Sequence, residues 1–513
     1  MLNSGQSPAM STGALLVRGS ILRVLTMAAG MAVGLFLMPF LIHALGDRWY
    51  GMWTLVVSIT AYYALLDFGM TRAATRFLAR AITLDDVVEA NSVIVTALTI
   101  LAGMGGIGLV ASIGIAFGAE WLIGDPVEIS AFRYVVLILA ADAAVSLPAM
   151  VVNAVLLAHY RFDVLSCVQV AALAVRTALM VWLVMAGYSI VALALVVLST
   201  NLLARAALAF VVRYLFPWIE LRPALFHPTQ ARQLFRYGTH AFLAACADRV
   251  RSNAGIIVVA SFLDIATVTH YGIAARIAQL FAELMLQSLG VVGPLFMRSD
   301  ALGDRAKTRE TFLLATRLSV LASVTTAGGI VLLGDRFIGS WIGEDYRDAY
   351  WPLAILTGSL AVWLMQWPSV SVLYATGRHR FYAYLSTAEA FANVGISVVL
   401  VQFYGMIGVS LGTAIPLLIS MLVLQPNYVC RTLELDLGGY YREFGRAALY
   451  AMLSQVPLFV FVHALDVTSL AEMLALSLVY YPLCWVFLVR TLLPKGDRLR
   501  VGAALPTLRW LWL

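Results

Sequence analysis

The sequence has few charged residues: Asp, Glu, Lys and Arg make up 12% of its 513 residues, while 62% are hydrophobic. Soluble globular domains carry about a quarter of their residues as charged side chains, so this composition excludes that class. The first 17 residues are polar and lack a basic cluster. The apolar run from Ser20 to Leu45 is too long for the core of a cleavable signal peptide and lacks a small-residue cleavage site. We therefore expect this run to be an uncleaved first membrane span.

Cysteine is also scarce, and nucleotide-binding motifs are missing. The four cysteines stand singly, mostly in apolar stretches, without a Cys-x-x-Cys pair or a spacing typical of metal ligands. We expect neither disulfides nor a metal site. No Walker A motif occurs, which argues against ATP hydrolysis by this chain. We predict that the protein is not an enzyme and has no cofactor. The cysteines are Cys167, Cys246, Cys430 and Cys484.

Long apolar runs dominate the chain instead. About 20 apolar residues are needed to cross the roughly 30 Å of hydrocarbon in a bilayer, and about fourteen such runs can be counted, with short loops between them. Strand-like alternation is absent, so the runs predict an all-α polytopic membrane protein with about 14 transmembrane helices. The approximate limits are 19–45, 51–78, 91–117, 130–158, 164–187, 189–215, 236–262, 266–297, 309–333, 350–376, 380–404, 406–429, 442–464 and 468–491.

Basic residues are distributed unequally between the two sides of these spans. If the N-terminus is cytoplasmic, nearly all loop arginines and lysines fall on the cytoplasmic side, and the opposite loops carry chiefly Arg48, Arg133, Arg336 and Arg347 together with many acidic residues. The positive-inside rule then predicts that both termini are cytoplasmic. This rim of basic residues accounts for the net charge of +6, so we expect no nucleic-acid partner.

Two loose motifs recur about 220 residues apart, and six predicted spans separate the copies. Because an even number of crossings preserves chain direction, the repeats predict two parallel six-helix bundles followed by two C-terminal helices. The predicted segments are a cytoplasmic N-terminus 1–18, an N-lobe 19–216, a cytoplasmic linker 217–235, a C-lobe 236–435, two helices 436–492 and a cytoplasmic tail 493–513. The motifs are Tyr50-Gly51 with Gly69, matched by Tyr271-Gly272 with Gly290, and Arg161-Phe162 with Leu165-Ser166, matched by Arg380-Phe381 with Leu385-Ser386.

Six arginines lie inside the apolar runs, where each would cost about 2.5–3.5 kcal/mol if it faced lipid. They must face protein or water, either paired with acids or lining a path for an anionic cargo. Depth from the nearest hairpin lets Asp142 meet Arg176, which predicts a structural ion pair in the first bundle. Two further matches in depth are Arg249 with Glu283 and Gln366 with Glu389. The six arginines are Arg176, Arg205, Arg249, Arg251, Arg276 and Arg317.

The seventh predicted span, 236–262, has the most polar centre of any span. Asp248 can neutralise only one of Arg249 and Arg251, and Arg276 enters the eighth span at a depth similar to that of Arg251. Two facing arginines repel unless an anion lies between them, and a guanidinium stays charged when desolvated and binds phosphate oxygens bidentately. We interpret these three arginines as candidate anion contacts, with a purely structural role as the alternative.

Two other predicted helices have small or polar residues at spacings that place them on one face. In the first span, Gly19, Arg23, Thr26, Gly30 and Gly34 fall on one face, which predicts either a small-residue packing seam or, at Arg23, another anion contact. In the eleventh span a polar face is suited to sugar hydroxyls or an ion. The candidate residues of this polar cavity are Tyr382, Ser386, Glu389 and Asn393, with Gln366 from the tenth span, which we expect Pro368 to kink.

The segment LIHALGDRWYGMWTLVVSITAYYALLDFGMTRAATRFLARA resembles the first-two-span signature of the bacterial polysaccharide flippases. These form the O-antigen and exopolysaccharide branch of the multidrug/oligosaccharidyl-lipid/polysaccharide exporter superfamily. Residues 270–280, 337–360 and 374–415 are similar, in order and spacing, to later spans of that family. The resemblance covers roughly residues 15–435.

The resemblance implies a protein of the bacterial inner membrane that moves a polyprenyl-diphosphate-linked oligosaccharide from the cytoplasmic to the periplasmic leaflet by alternating access. Such cargo serves the biosynthesis of lipopolysaccharide O-antigen, capsule or exopolysaccharide. The related lipid II flippases keep arginines in a central cavity, and Arg23, Arg249, Arg251 and Arg276 fall in corresponding spans as diphosphate candidates. Asp67, in the family's LLDFG signature, either pairs with a nearby arginine or takes part in coupling.

Energy coupling and partners are predicted only in outline. A coupling ion, H⁺ or Na⁺, could act through an intramembrane acid, and membrane potential alone could also drive an anionic cargo outward. We expect a monomer that binds the lipid-linked oligosaccharide and membrane lipids, and polysaccharide assembly machinery is a candidate partner. The candidate coupling or structural acids are Asp67, Asp142, Asp248 and Glu283, with Glu389 as a further coupling candidate.

Two other function classes stay open. A multidrug or cation antiporter of the same superfamily would have about twelve spans, and cationic drugs would favour an acid-dominated cavity. A membrane glycosyltransferase or glycan polymerase would typically carry a large extramembrane loop or paired catalytic carboxylates near one surface. The longest outer loop here, around residues 334–350, is small.

Overall fold

The computed structural model describes residues 12–121, 123–290, 292–301, 304–493 and 498, and does not describe the side chains of residues 12–21, 23, 237–241, 243–244, 292, 294–295, 300–301 and 379. Every regular element within these ranges is a helix. Helices satisfy all backbone hydrogen bonds within one segment, which a lipid environment requires because it offers no water to the backbone.

Polar caps set the beginning of several helices. Asp86 accepts a hydrogen bond from the backbone of Glu89 at 2.8 Å, and Asp125 accepts one from Val127 at 2.8 Å. Ser469 and Glu472 form a reciprocal capping box. These residues satisfy the first backbone N–H groups of a helix, which have no partner within it. The residues where these helices begin are therefore determined locally, although the apolar runs themselves give little indication of where a helix ends.

The chain forms two compact units. Among the described residues, the first comprises those up to Arg249 together with Leu263–Thr269, and the second comprises Val250–Phe262 and those from His270 onward. The lobe limits predicted from the sequence, 19–216 and 236–435, remain predictions.

The first unit consists of long helices with short connections. A short 3₁₀ segment, Ala61–Asp67, separates two of them and ends in left-handed backbone at Phe68 and Gly69. The helices are α1 (Thr12–Leu45), α2 (Asp47–Thr60), α3 (Met70–Thr83), α4 (Val87–Phe117), α5 (Pro126–Ala158), α6 (Phe162–Met185), α7 (Ile190–Leu215) and α8 (Pro228–Phe262), whose last part belongs to the second unit.

The second unit has a more interrupted set of helices. A large hydrophobic core of this unit is formed mainly by residues of α9 to α16 and α18. The helices are α9 (Ile265–Leu289), α10 (Val292–Ala301), α11 (Arg305–Trp341), α12 (Tyr350–Met365), α13 (Trp367–Ala375), α14 (His379–Ile419), α15 (Gln425–Leu433), α16 (Leu437–Leu453), α17 (Gln455–Ala464) and α18 (Leu470–Leu492). The break between α12 and α13 falls at Gln366, directly before the predicted kink at Pro368.

Eleven segments of the described chain are long and apolar enough to cross a membrane. One of them, Arg380–Leu433, is long enough to cross twice, and the backbone leaves helical geometry inside it at Gly405 (φ 55°, ψ −136°). Helices α8 and α9, with 35 and 25 residues, are also long enough to span at about 1.5 Å per residue. Counting these, the structure confirms the prediction of an all-α polytopic membrane protein with about 14 spans.

Candidate functional site

Polar residues of α5, α6 and α7 form a connected network inside the first unit. Arg205 on α7 donates from Nη1 to Oδ1 of Asp142 on α5 at 2.7 Å, and Nδ2 of Asn201 donates to the other carboxylate oxygen at 2.9 Å. Arg176 on α6 donates from Nη2 to Oδ1 of Asn201 and from Nε to Oγ1 of Thr200 at 3.3 Å. Asn201 therefore bridges the carboxylate and the second guanidinium. The two residues on α7 that bind Asp142 are four positions apart, so they share one helix face.

The network corrects the predicted direct ion pair between Asp142 and Arg176. The direct partner of Asp142 is Arg205, for which depth from the nearest hairpin predicts no partner. Depth matching assumed that consecutive helices pack side by side. Instead, α5 packs far more extensively against α7 than against α6. Arg205 consequently reaches the carboxylate, while Arg176 reaches it only through Asn201.

A cavity of about 580 Å³ lies against this network. Asp142 and Arg176 form its charged wall. The small residues Gly30 and Gly34 line it from α1, and a Cβ added at Gly30 would meet no atom within 4 Å. Gly30 is thus at a cavity wall and not in the tight packing seam that its spacing also allowed. The side chain of Arg23, on the same predicted face, lies outside the described residues.

Asp67 has a local role where the 3₁₀ segment meets α3. Its Oδ1 accepts hydrogen bonds from the backbone N of Thr71 at 3.1 Å and from the hydroxyl of Thr71 at 2.5 Å. These bonds satisfy the beginning of α3 after the left-handed turn at Phe68 and Gly69. The carboxylate binds Thr71 and not the neighbouring arginines considered as structural partners.

In the second unit, Arg251 on α8 forms a deeply buried ion pair with Glu389 on α14. Nε of Arg251 lies 2.8 Å from Oε1 of Glu389, and the side chains are 7% and 3% exposed. The Cζ atom of Arg251 also lies 5.2 Å from the centroid of the Trp363 ring, within cation–π distance. A desolvated guanidinium thus contacts a carboxylate and an aromatic face.

The polar face predicted on α14 exists, and its members point into the interior of the second unit. Tyr382, Ser386, Glu389 and Asn393 are each at most 5% exposed. Ser386 donates to the backbone oxygen of Tyr382 at 2.5 Å, and Asn393 accepts from Ser397 at 3.3 Å. In this conformation the face is therefore packed against protein.

Gln366 does not make the predicted contact with Glu389. Its Oε1 accepts hydrogen bonds from Ser369 at 2.9 Å and from Tyr440 at 3.1 Å. Its position at the junction of α12 and α13 turns the side chain toward α16, which carries Tyr440. Depth matching does not register such a break in the helix.

Two further arginines in the second unit have carboxylate partners. Nη1 of Arg276 lies 3.5 Å from Oε1 of Glu283 on the same helix, with side chains 36% and 39% exposed. Depth in the membrane predicts Arg249 as the partner of Glu283, whereas the structure pairs Glu283 with Arg276. Arg317, for which the sequence suggested no partner, pairs at 3.1 Å with Glu443 on α16.

Asp248 and Arg249 lie on α8 in the turn before Arg251. Asp248 is exposed and Arg249 is partly buried. Both engage in further polar interactions.

A second cavity, of about 300 Å³, lies in the second unit among α9, α11, α12 and α18. Its walls are almost entirely apolar, with Ile277, Phe337, Leu474 and Trp485 among them. Its chemistry is that of an alkyl-binding groove, in contrast to the charged cavity of the first unit.

These helices, with ionisable groups held inside helical bundles, define a multi-pass membrane protein. Residues 50–350, more than half of the chain, match the family described as polysaccharide biosynthesis protein. The chain belongs to this family. No curated protein matches it in sequence.

Several solved transporter structures have a similar fold. The lipid II flippase MurJ, in an inward closed conformation, is similar with a TM-score of 0.69 at 13% identity, over 93% of this chain and 99% of that chain. An inward-facing multidrug resistance MATE family transporter of the MOP superfamily has a TM-score of 0.66 at 16% identity, over 82% and 99%. A MOP superfamily transporter from Pyrococcus furiosus has a TM-score of 0.60 at 15% identity, over 84% and 98%. At these identities the similarity establishes the fold alone.

Proposed function

We propose that the protein is a flippase that moves a polyprenyl-diphosphate-linked oligosaccharide from the cytoplasmic to the periplasmic leaflet of the bacterial inner membrane by alternating access. Its product would serve O-antigen, capsule or exopolysaccharide biosynthesis. The family membership supports the glycan pathway, and the fold shared with a lipid II flippase supports a lipid-linked cargo. The observation that carries the proposal is the burial of cationic groups at membrane depth, above all Arg251.

Such a cargo presents three chemistries: an anionic diphosphate, hydroxyl-rich sugars and an apolar prenyl chain. Arginine matches the first because its guanidinium keeps its charge when desolvated and fits phosphate oxygens. The apolar cavity among α9, α11, α12 and α18 is compatible with a segment of the prenyl chain. We propose the polar face of α14 for the sugars, in a conformation that uncovers this face.

Arg251 and Arg276 are proposed as diphosphate contacts, with Arg23 and Arg249 as further candidates. In this conformation Glu389 and Glu283 neutralise the first two. A carboxylate partner lowers the cost of keeping a guanidinium in the membrane while no cargo is bound. On cargo binding, a diphosphate would exchange with the carboxylate, and a diphosphate offers the guanidinium more acceptor oxygens than one carboxylate does.

Coupling is proposed to use H⁺ or Na⁺ at one of the intramembrane acids or the membrane potential itself. With the cytoplasmic side negative, outward movement of one net negative charge gains about 2.3 kcal/mol per 100 mV. Glu389 is the acid best placed for coupling, because proton binding there would weaken its hold on Arg251.

A cation or multidrug antiporter of the same superfamily is the second candidate. The observation in its favour is Asp142, a carboxylate at the wall of the 580 Å³ cavity. Arg205 already neutralises it at 2.7 Å, which weakens the case for a cationic substrate there.

Deletion of the gene tests the proposal directly. The lipid-linked oligosaccharide should accumulate in the cytoplasmic leaflet, and surface polysaccharide should be lost. An unchanged lipid-linked pool together with normal surface glycan would reject the flippase function. Drug sensitivity of the deletion strain, with normal glycan, would favour the antiporter.

Arg251→Ala then tests the site, with Arg317→Ala, whose ion pair is more exposed, as the control. Both variants remove an arginine from an ion pair in the second unit. Only Arg251→Ala should reproduce the accumulation seen on deletion. An Arg251→Ala protein that inserts normally and flips at the wild-type rate would exclude Arg251 as a cargo contact and leave the flippase function standing.

A further inference from the structure

The polar network beside the cavity of the first unit carries an excess of positive charge that its ion pair does not cancel. The network holds two guanidinium groups and one carboxylate. Asp142 is engaged by Arg205 at 2.7 Å, whereas the described hydrogen-bond partners of Arg176 are the neutral Thr200 and Asn201. The group therefore carries one net positive charge at the depth of the membrane interior.

The hydrogen bonds of Arg176 hold its side chain in a defined orientation. Nε donates to Thr200 and Nη2 to Asn201, and Nη1 makes no hydrogen bond with the described residues. Arg176 itself lines the cavity. A guanidinium with two nitrogens fixed by protein loses little rotamer freedom when its remaining donor binds a ligand.

The cavity has the size and lining of a ligand site. Its volume of about 580 Å³ falls within the roughly 300–1,000 Å³ typical of small-molecule pockets. The walls are mostly apolar, with few convergent polar groups, among them Ser146 and Thr177 beside the charged pair. The aromatic ring of Trp53 forms part of the wall. An amphipathic molecule with one anionic group matches this combination.

We propose that the cavity of the first unit binds an oxyanion, a phosphate or a carboxylate, with Arg176 as its donor and with Asn201, Asp142 and Arg205 as positioning residues. This inference rests on the proposed function for the origin of the anion. Two parts of a lipid-linked oligosaccharide carry that chemistry: the diphosphate of the carrier and the carboxylate of an acidic sugar. The site is separate in sequence and in unit from Arg251 and Arg276.

Binding to the purified full-length protein in lipid nanodiscs provides the test. The probes are farnesyl diphosphate and D-glucuronate, with farnesol and D-glucose as their uncharged counterparts, measured by calorimetry. Arg176→Gln should weaken anion binding by about tenfold or more, the expected effect of losing one charge-assisted hydrogen bond, and should leave the uncharged probes unchanged. A response to farnesyl diphosphate assigns the site to the carrier, and a response confined to glucuronate assigns it to an acidic sugar.

Asp142→Asn separates a binding role from a structural one. Asn keeps an oxygen that can accept a hydrogen bond at this position but removes the negative charge, so the net charge of the wall rises and anion binding should strengthen by about threefold or more. If the network only maintained the structure of the unit, both Arg176→Gln and Asp142→Asn would weaken anion binding. Arg317→Gln, a charge loss in the other unit, is the control and should match wild type.

A bound probe can also be located by its quenching of tryptophan fluorescence. If Trp53→Phe abolished this quenching, the probe would lie in this cavity, since Trp53 lies in its wall. The proposal is overturned if neither anion binds wild type, if Arg176→Gln binds anions as wild type does, or if Asp142→Asn weakens binding. If Arg176→Gln does not fold, Arg176→Lys takes its place, because Lys keeps the positive charge in the network. Its binding, together with that of Asp142→Asn, then decides between the same outcomes. If anions bind in a way that depends on Arg176 but deletion of the gene has no phenotype, only the flippase function is rejected. If deletion has the expected phenotype but anion binding does not depend on Arg176, only this site is rejected.

Discussion

The two units handle buried charge in opposite ways. In the second, Arg251 and Glu389 form a nearly dry pair with side chains at most 7% exposed, closed off by Trp363. In the first, Arg205 and Asp142 are 18% and 14% exposed, and the network borders a cavity of about 580 Å³. The arrangement in the second unit is a direct ion pair buried in protein, and that in the first unit keeps a positive excess beside open space. The same residue types therefore form a locked contact in one unit and an accessible surface in the other.

This contrast separates two demands on charges in a membrane. A buried guanidinium without a neutralising group is too costly to keep, so a closed position needs its carboxylate. A guanidinium that borders a cavity can be hydrated, so it can keep its charge for a ligand. Stability should accordingly depend most on the closed pair, and ligand binding most on the open network.

The largest effect on stability is expected from Glu389→Ala. It removes the carboxylate from a buried guanidinium, and breaking such a pair costs about 3–5 kcal/mol. Replacing both partners, as Arg251→Met with Glu389→Leu, should recover most of that loss because no buried charge is left behind. Denaturant titration of the purified proteins in detergent micelles measures both. Equal losses in the single and double variants would show that packing, and not charge burial, determines the stability at this position.

Asp142→Ala should cost less, about 1–3 kcal/mol, because water in the neighbouring cavity can solvate Arg205 and Arg176 once the carboxylate is gone. The same denaturant titration measures how far the free energies of unfolding of Asp142→Ala and Glu389→Ala differ. If Asp142→Ala proved the more destabilising variant, the open character of the first network would be contradicted.

Much of this organisation follows from the sequence, within limits that particular residues make clear. The helices follow from the length of the apolar runs, and the three- or four-residue spacing of Ser386, Glu389 and Asn393 places them on one face of α14, where all three are buried. The ion-pair partners could not be predicted, because Asp142 finds Arg205 on a helix that is not next in the chain. Spacing records which side chains share a face, and it contains no information on which helix lies opposite.

The small residues show the same limit. Gly30 borders a cavity, whereas Gly105 faces a neighbouring backbone: a Cβ there would lie 2.6 Å from the carbonyl oxygen of Ala144 on α5. Both have the spacing and apolar context of packing glycines. The signal that distinguishes them exists only in the assembled bundle.

The two glycines give a matched pair of variants. Gly105→Ala should destabilise the first unit by about 1–3 kcal/mol, since the added methyl forces α4 away from α5. Gly30→Ala should be neutral or stabilise by up to about 1 kcal/mol, because alanine is the better helix former and nothing obstructs its methyl. Thermal unfolding of both proteins measures the difference, and a loss of stability at Gly30 would mean that the cavity wall is tightly packed there.

The smallest effect on stability is expected from Arg276→Gln. Its contact with Glu283 is long, at 3.5 Å, and both side chains are more than a third exposed, so the pair should contribute about 0–1 kcal/mol. Arg317→Gln provides a control of similar kind, with its partner at 3.1 Å and side chains 23% and 36% exposed. If Arg276 contacts the cargo diphosphate, its variant should raise the substrate concentration needed for half-maximal flipping in proteoliposomes by about tenfold, while the unfolding midpoint stays near that of the control. A variant that changes neither quantity would leave Arg276 as a solvated helix-surface residue and narrow the proposed cationic contacts to Arg251 and the candidates Arg23 and Arg249.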